Sequence, residues 1–270
     1  MTISNNQPDW DAIAEKFDLW LPHIEPAGEA ILNAITVAPN SRILDVASGT
    51  GEPALTLAAR VDKKSSIIGT DAAAGMIRAA QNKVAKSGLK NIQFQCMPAE
   101  TLDFQDNYFD VVISRFGAML FQDSARGLTE MCRVLKPGGQ FALTVWYSAQ
   151  TMPVMHWTYE VFKDKIPAES HPPIEKMVSL GDAEVLGGML RTAGFTNINI
   201  GTHELSYNFE SFDAFWDTVE ASQILTMQFA ALPDTQQATI RDEVRQFARD
   251  LITEGGFSVP HTYVLAYGNK

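Results

Sequence analysis

Only two cysteines, Cys96 and Cys132, occur in 270 residues. They are too few for a disulfide framework and lack the spacing of a metal site. No uninterrupted apolar run approaches the roughly 18 residues that a membrane span needs. Residues Met1 to Pro8 contain neither a basic segment nor an apolar one, so no secretory signal is read there. Basic residues are scarce as well: 21 Lys and Arg face 32 Asp and Glu, a net charge of −11, and no basic stripe stands out. An acidic surface repels phosphate backbones, which argues against a nucleic-acid partner. Internal repeats and low-complexity tracts are missing too. These absences lead us to expect a soluble, cytoplasmic protein, a monomer or homodimer, whose partner is a small molecule.

What is present is an ordinary globular composition, 46% apolar and 20% charged. The length suits one α/β domain over residues 1–270 with insertions. The first half alternates strand-like and helix-like segments, the pattern of a parallel sheet with crossover helices. Strands are predicted at 42–47, 66–70, 92–96, 109–114 and 140–146. Helices are predicted at 52–60, at 72–87 ended by Gly88, and at 124–135 stopped by Pro137-Gly138-Gly139. Further on, helices are predicted at 153–165 and 182–193, and strands at 197–206 and 262–267. Residues 9–38 read as an N-terminal helical cap. The stretches 150–180 and 208–256 read as helical insertions, too long for plain connections.

The strongest local signal is Ile43-Leu44-Asp45-Val46-Ala47-Ser48-Gly49-Thr50-Gly51-Glu52-Pro53-Ala54. A strand runs into a Gly-x-Gly turn and then a helix, so the backbone can approach a ligand where a Cβ would collide. Asp71 follows Gly51 by 20 residues, at the end of the second strand, where a carboxylate can accept from both hydroxyls of a ribose. So far a nicotinamide dinucleotide fits as well as an adenosyl cofactor. Asp45 separates the two. A carboxylate beside the turn repels a pyrophosphate and attracts a cationic amino group. Adenosylmethionine carries an ammonium and a sulfonium and no phosphate, so it is the favoured cofactor.

Four blocks in this order resemble the class I adenosylmethionine-dependent methyltransferases, close to the ubiquinone/menaquinone-biosynthesis type. They are the glycine turn; Ile68 to Met76; Met97 to Phe104; and Phe109 to Gly117 followed by Arg133 to Gly139. The resemblance runs from about Trp10 to Trp146 and returns at 182–203. It implies a Rossmann-like α/β fold: a seven-stranded sheet in the order 3-2-1-4-5-7-6, strand 7 antiparallel, with helices on both faces and a helical lid. It also implies the cofactor S-adenosylmethionine, with S-adenosylhomocysteine as product. Ala47, Gly49 and Gly51 should then line the methionine and ribose end, and Asp45 should face the amino group. Asp71 should bind the ribose hydroxyls, with Ala72 and Met76 near the adenine. The Ala99 N–H should reach the adenine ring, with Glu100 beside it, and Ser114 should contact the methionine part through its backbone. Three positions depart from the family: Ala47 stands where Gly is usual, Pro98 where Asp or Asn often accepts from the adenine, and Phe17 where Tyr is frequent.

Methyl transfer needs alignment and exclusion of water, and a base only when the acceptor carries a proton of high pKa. After the fourth strand, Ser114-Arg115-Phe116-Gly117 replaces the Asn/Asp-Pro-Pro-aromatic motif of enzymes that methylate adenine or glutamine. Two distant cysteines argue against arsenic methylation. Candidate acceptor-site residues are Trp20, Arg115, Phe116, Trp146 and Trp216, with Tyr147, Phe212 and Met227. His156 and His23 are candidate bases. Phe212, Phe215 and Trp216 recur at helical spacing and read as core on that ground; the histidines read by default as surface. Lys136 reads as structural. The expected reaction is methyl transfer to oxygen or carbon of a small, partly apolar metabolite of quinone, phenol, polyketide or prenyl type. Two alternatives are an adenosylmethionine-binding protein that transfers no methyl, cyclase-like or regulatory, and an NAD-dependent dehydrogenase.

Overall fold

The computed structural model describes residues 9–166, 171, 173–222 and 232–270. The chain begins with α1 (Trp10–Phe17) and α2 (Leu21–Ala34), then alternates: β1 (Arg42–Val46), α3 (Ala54–Arg60), β2 (Ser66–Asp71), α4 (Ala74–Ser87) and β3 (Ile92–Cys96). Next come β4 (Phe109–Arg115), α5 (Ser124–Val134), β5 (Leu135–Trp146), α6 (Pro153–Phe162), α7 (Ile174–Met177), α8 (Ala183–Ala193) and β6 (Thr196–Phe209). The last elements are α9 (Phe212–Ser222), α10 (Asp234–Ala248), the two-residue β7 (Ile252–Thr253) and β8 (Gly256–Asn269).

The strands form one sheet in the order β3-β2-β1-β4-β5-β8-β6, with β7 paired to β8. This is the expected order with a short eighth strand added. The five central strands are parallel, and β8 runs antiparallel between β5 and β6. The apolar run of β4 explains its central place, since Val111, Val112 and Ile113 are fully buried. Helix α2 crosses β4, β5, β6 and β8, α4 packs on β2 and β3, and α8 packs on β6 and α5. Gly88 and Gly194, both at positive φ, end α4 and α8.

Several boundaries differ from the sequence reading. Helix α5 stops at Val134, ahead of Pro137-Gly138-Gly139, because Leu135 pairs with Phe109 and turns extended. A residue before proline also avoids helical ψ, so Lys136 could not have continued it. Residues 136–139 bulge within β5 between the pairs Phe109–Leu135 and Val111–Gln140. Lys136 bonds Asp110 at 2.5 Å there. Strand β6 runs on to Phe209 and β8 starts at Gly256, so the helical stretch between them is shorter than 208–256. Beyond Trp146, the end of β5, these two strands continue as a pair: Leu205 opposes His261, Tyr207 opposes Val259 and Phe209 opposes Phe257. This overhang stands at the C-terminal end of the parallel strands.

Candidate active site

The turn after β1 is held by short-range bonds. Ser48 N–H donates to the Thr70 carbonyl at 2.9 Å, and Gly51 N–H to the Ser48 carbonyl at 2.9 Å. Gly49 and Gly51 sit at φ 54 and 110, a region glycine enters without penalty. Ala47 also has positive φ, 56, where a Cβ is disfavoured. The Asp71 carboxylate accepts from Gly49 N–H and from Ala73 N–H, each at 2.9 Å. Burial raises its pKa and those two bonds oppose the rise. Asp71 thus ties the ends of β1 and β2 together and keeps lone pairs for a ligand.

Asp45 is 0% exposed, and neither carboxylate oxygen has a hydrogen bond within the described residues. Its pKa is pushed up to about 8. Burial is the largest cause; Arg115 works against it, and Asp71 and Glu52 add to it. Arg115, at the end of β4, is itself lowered by burial and supported by Asp45 and Glu52. A buried carboxylate without a partner is costly. Here it adjoins the glycine turn, where a cationic ligand group would satisfy it.

One cavity of about 280 Å³ opens over this turn. Phe17, Ala47, Gly49, Asp71, Ala72, Met76, Ala99 and Glu100 line it, as do Trp20, Arg115, Phe116 and Trp146. Helix α1 closes one side. The Asp11 carboxylate accepts from Gly75 N–H at the start of α4, and Asp18 accepts from Thr50 Oγ1 at 2.5 Å and Lys83 Nζ at 2.8 Å. Gly51, Asp45 and Ser114 lie behind the lining rather than in it. Ser114 Oγ donates to the Val46 carbonyl at 2.8 Å, bracing β1 against β4.

Several predicted residues fall elsewhere. His156 on α6 is not in the lining, whereas Met152, Val154 and Met155 of the same segment are. His23 stands one layer back, its ring 4.4 Å from Phe209 and 5.1 Å from Tyr207. Burial lowers its pKa. Trp216 is 1% exposed in the core, its ring stacked on Phe212 and its Nε1–H donated to Glu220 at 2.6 Å. Phe212 is core with it, as the helical spacing suggested. Tyr147 is 42% exposed and faces away. Met227 lies outside the described residues.

The cavity also holds residues that the sequence reading missed, chiefly Tyr207 and His261 from the overhang. Their rings stack at 4.1 Å. Trp146 lies 5.7 Å from His261 and stacks on Phe116 at 4.1 Å, while Trp20 lies 5.6 Å from Tyr207. A continuous aromatic wall therefore faces the glycine turn, with Met152, Met155 and Met177 beside it.

A parallel sheet with this order, a glycine turn after β1 and an acid ending β2 define an adenosylmethionine-dependent methyltransferase. The model of the ubiE/COQ5 methyltransferase family matches residues 28–206, and the chain belongs to that family. The chain is 39% identical over 134 residues to a ubiquinone/menaquinone biosynthesis C-methyltransferase UbiE of Geotalea daltonii, covering 49% of this chain and 57% of that one. It is 30% identical over 204 residues to the Francisella philomiragia protein of the same name, covering 69% and 81%. The crystal structure of the YcgJ protein from Bacillus subtilis shares the fold, with a TM-score of 0.62 over 92% of this chain and 99% of that one at 22% identity. The cofactor is S-adenosylmethionine. These relatives favour neither the non-transferring alternative nor the dehydrogenase.

Proposed function

We propose that the protein transfers a methyl group from S-adenosylmethionine to oxygen or carbon of a small, partly apolar acceptor of quinone, phenol, polyketide or prenyl type. One observation carries this reading: a single cavity has carboxylates and a glycine turn at one end and rings and methionines at the other. The first end fits the cofactor, because the Glu52, Asp71 and Glu100 carboxylates line it beside the glycine turn, with the buried acid Asp45 one layer behind to favour a cationic amino group. Asp71 would take the ribose hydroxyls, Ala72, Met76, Ala99 and Glu100 the adenine, and Phe17, Ala47, Gly49, Gly51 and Ser114 the remainder. When bound, the cofactor supplies a methyl group made electrophilic by its cationic sulfur. Trp20, Phe116 and Trp146 would hold the acceptor against it and keep water out, which is the main demand of a direct displacement. Arg115 would add a positive charge where an electronegative acceptor group could rest.

The test has two stages. Calorimetry should show binding of S-adenosylmethionine and S-adenosylhomocysteine, none of NAD, and loss of both in Asp71→Ala. Labelled methyl donor should then mark a phenol or quinol from an acceptor panel. Binding of NAD in place of the adenosyl compounds would defeat the reading; so would cofactor binding with label passed only to polar, ring-free acceptors.

A further inference from the structure

The aromatic wall is interrupted by two polar atoms that nothing in the described protein satisfies. His261 is 1% exposed, and its Nε2 has no hydrogen-bond partner. Its other ring nitrogen, Nδ1, lies 3.0 Å from the Val259 carbonyl. A carbonyl only accepts, so Nδ1 carries the hydrogen and the neutral ring presents a bare lone pair at Nε2. Burial keeps the ring neutral, its pKa pushed down to about 4 with a small contribution from His23 and the Val259 carbonyl opposing. The second atom is Trp20 Nε1, whose N–H is equally buried and equally unpartnered. Both residues line the cavity, and both rings neighbour Tyr207. A buried polar atom left bare is costly. Two such atoms, on residues that line one cavity, point to a ligand that completes them.

We infer that, with an acceptor of the phenol or enol kind, His261 Nε2 accepts the acceptor's hydroxyl proton and the Trp20 N–H donates to a second acceptor oxygen. The inference rests on the methyl-transfer reading above. As the acceptor oxygen bonds the methyl carbon, the carbon–sulfur electron pair stays on sulfur. The O–H bond breaks and its proton passes to Nε2, giving an imidazolium that still donates from Nδ1 to Val259. The proton leaves to water with the product. If the conjugated carbon attacks instead, the same hydroxyl gives up its proton to Nε2. The hydrogen on the methylated carbon then moves to that oxygen and restores the hydroxyl. An oxygen that is gaining a methyl group becomes strongly acidic, so a weak base suffices. His261 would be a catalytic residue by contact, and Trp20 a specificity residue.

The test uses protein loaded with S-adenosylhomocysteine, titrated with 2,3-dihydroxynaphthalene and with 2,3-dimethoxynaphthalene, and read by quenching of tryptophan fluorescence. Both probes offer oxygens to Trp20; only the diol offers a proton to His261. Wild type should prefer the diol about tenfold or more. His261→Phe keeps a ring and removes the acceptor, so the preference should vanish, while His261→Gln should retain most of it. Unchanged S-adenosylhomocysteine affinity in both variants would show that they are folded. A preference that survives in His261→Phe, or that is missing from wild type, overturns the inference. Failure of wild type to bind S-adenosylhomocysteine at all overturns the reading beneath it.

Discussion

Replacing Asp45 by Asn should make the unliganded protein more stable and weaken its grip on the cofactor. The magnitude follows from the shift of the carboxyl from its ordinary 3.8 to about 8 in the fold. A raised carboxyl pKa means that the folded chain holds its proton more tightly than the unfolded chain. The stability from that proton is complete below pH 3.8 and is lost as pH rises through 8. At 1.36 kcal/mol per pKa unit, the loss reaches about 2 kcal/mol at pH 5, about 4 at pH 7 and about 6 above pH 8. Asn has nearly the same shape and never ionises, so Asp45→Asn should gain these amounts. The assay is urea denaturation of both proteins without ligand at pH 5, 7 and 9. Calorimetry should show S-adenosylmethionine binding weakened about tenfold or more, because its ammonium loses a buried counter-charge. A gain of half the stated size that still grows with pH keeps the argument. A gain that is flat with pH, or a loss, refutes it.

Four further outcomes are expected. Gly75→Ala places a Cβ 2.7 Å from the Asp11 carbonyl and 2.9 Å from its Cα, so α1 must move; calorimetry should show weaker S-adenosylhomocysteine binding, and unchanged binding would mean that α1 does not shape the site. His156→Ala should leave kcat and KM within about twofold of wild type, since deleting a side chain outside the lining removes no contact made in the transition state. Trp216→Ala should lower the unfolding free energy by about 3–5 kcal/mol, with acceptor KM unchanged at temperatures well below melting. Arg133 donates to the Leu102 and Phe104 carbonyls at 2.8 Å each; Arg133→Ala should cost about 2 kcal/mol and speed hydrogen exchange across residues 99–104.

The cofactor half was legible because its devices are local. A strand, two glycines and a carboxylate some 20 residues on form a pattern readable along the chain, and Asp71 does accept from Gly49 N–H. The sheet order followed from the family resemblance, and the short crossovers among β1, β2 and β3 kept those strands recognisable in the chain. The acceptor half was not. His261 lies before the predicted strand 262–267 and Tyr207 just after 197–206, so both were read as outside the sheet. Phe257, Ser258 and Val259 alternate as a strand does, but Pro260 reads as a breaker and His261 puts a polar ring at an inward position. The proline is tolerated because Thr262, two residues on, donates away from β6 to the Thr151 carbonyl at 2.9 Å; the ring nitrogen of Pro260 faces that same side, where no β5 partner runs. His156 failed for the opposite reason. Helical periodicity says that a side chain lies on a face but not which face meets the cavity.

The overhang of β6 and β8 also divides the cavity wall between two distant stretches of the chain. The glycine turn and Asp71 come from the first half of the chain, whereas Tyr207 and His261 come from a strand pair more than 130 residues beyond Asp71. Mutations at 205–209 and 257–263 can remodel the acceptor wall without disturbing the glycine turn. A lineage could therefore change what it methylates by redrafting a dozen residues, while the donor end stays as inherited. In the laboratory, that makes the strand pair the place to diversify when a new acceptor is wanted.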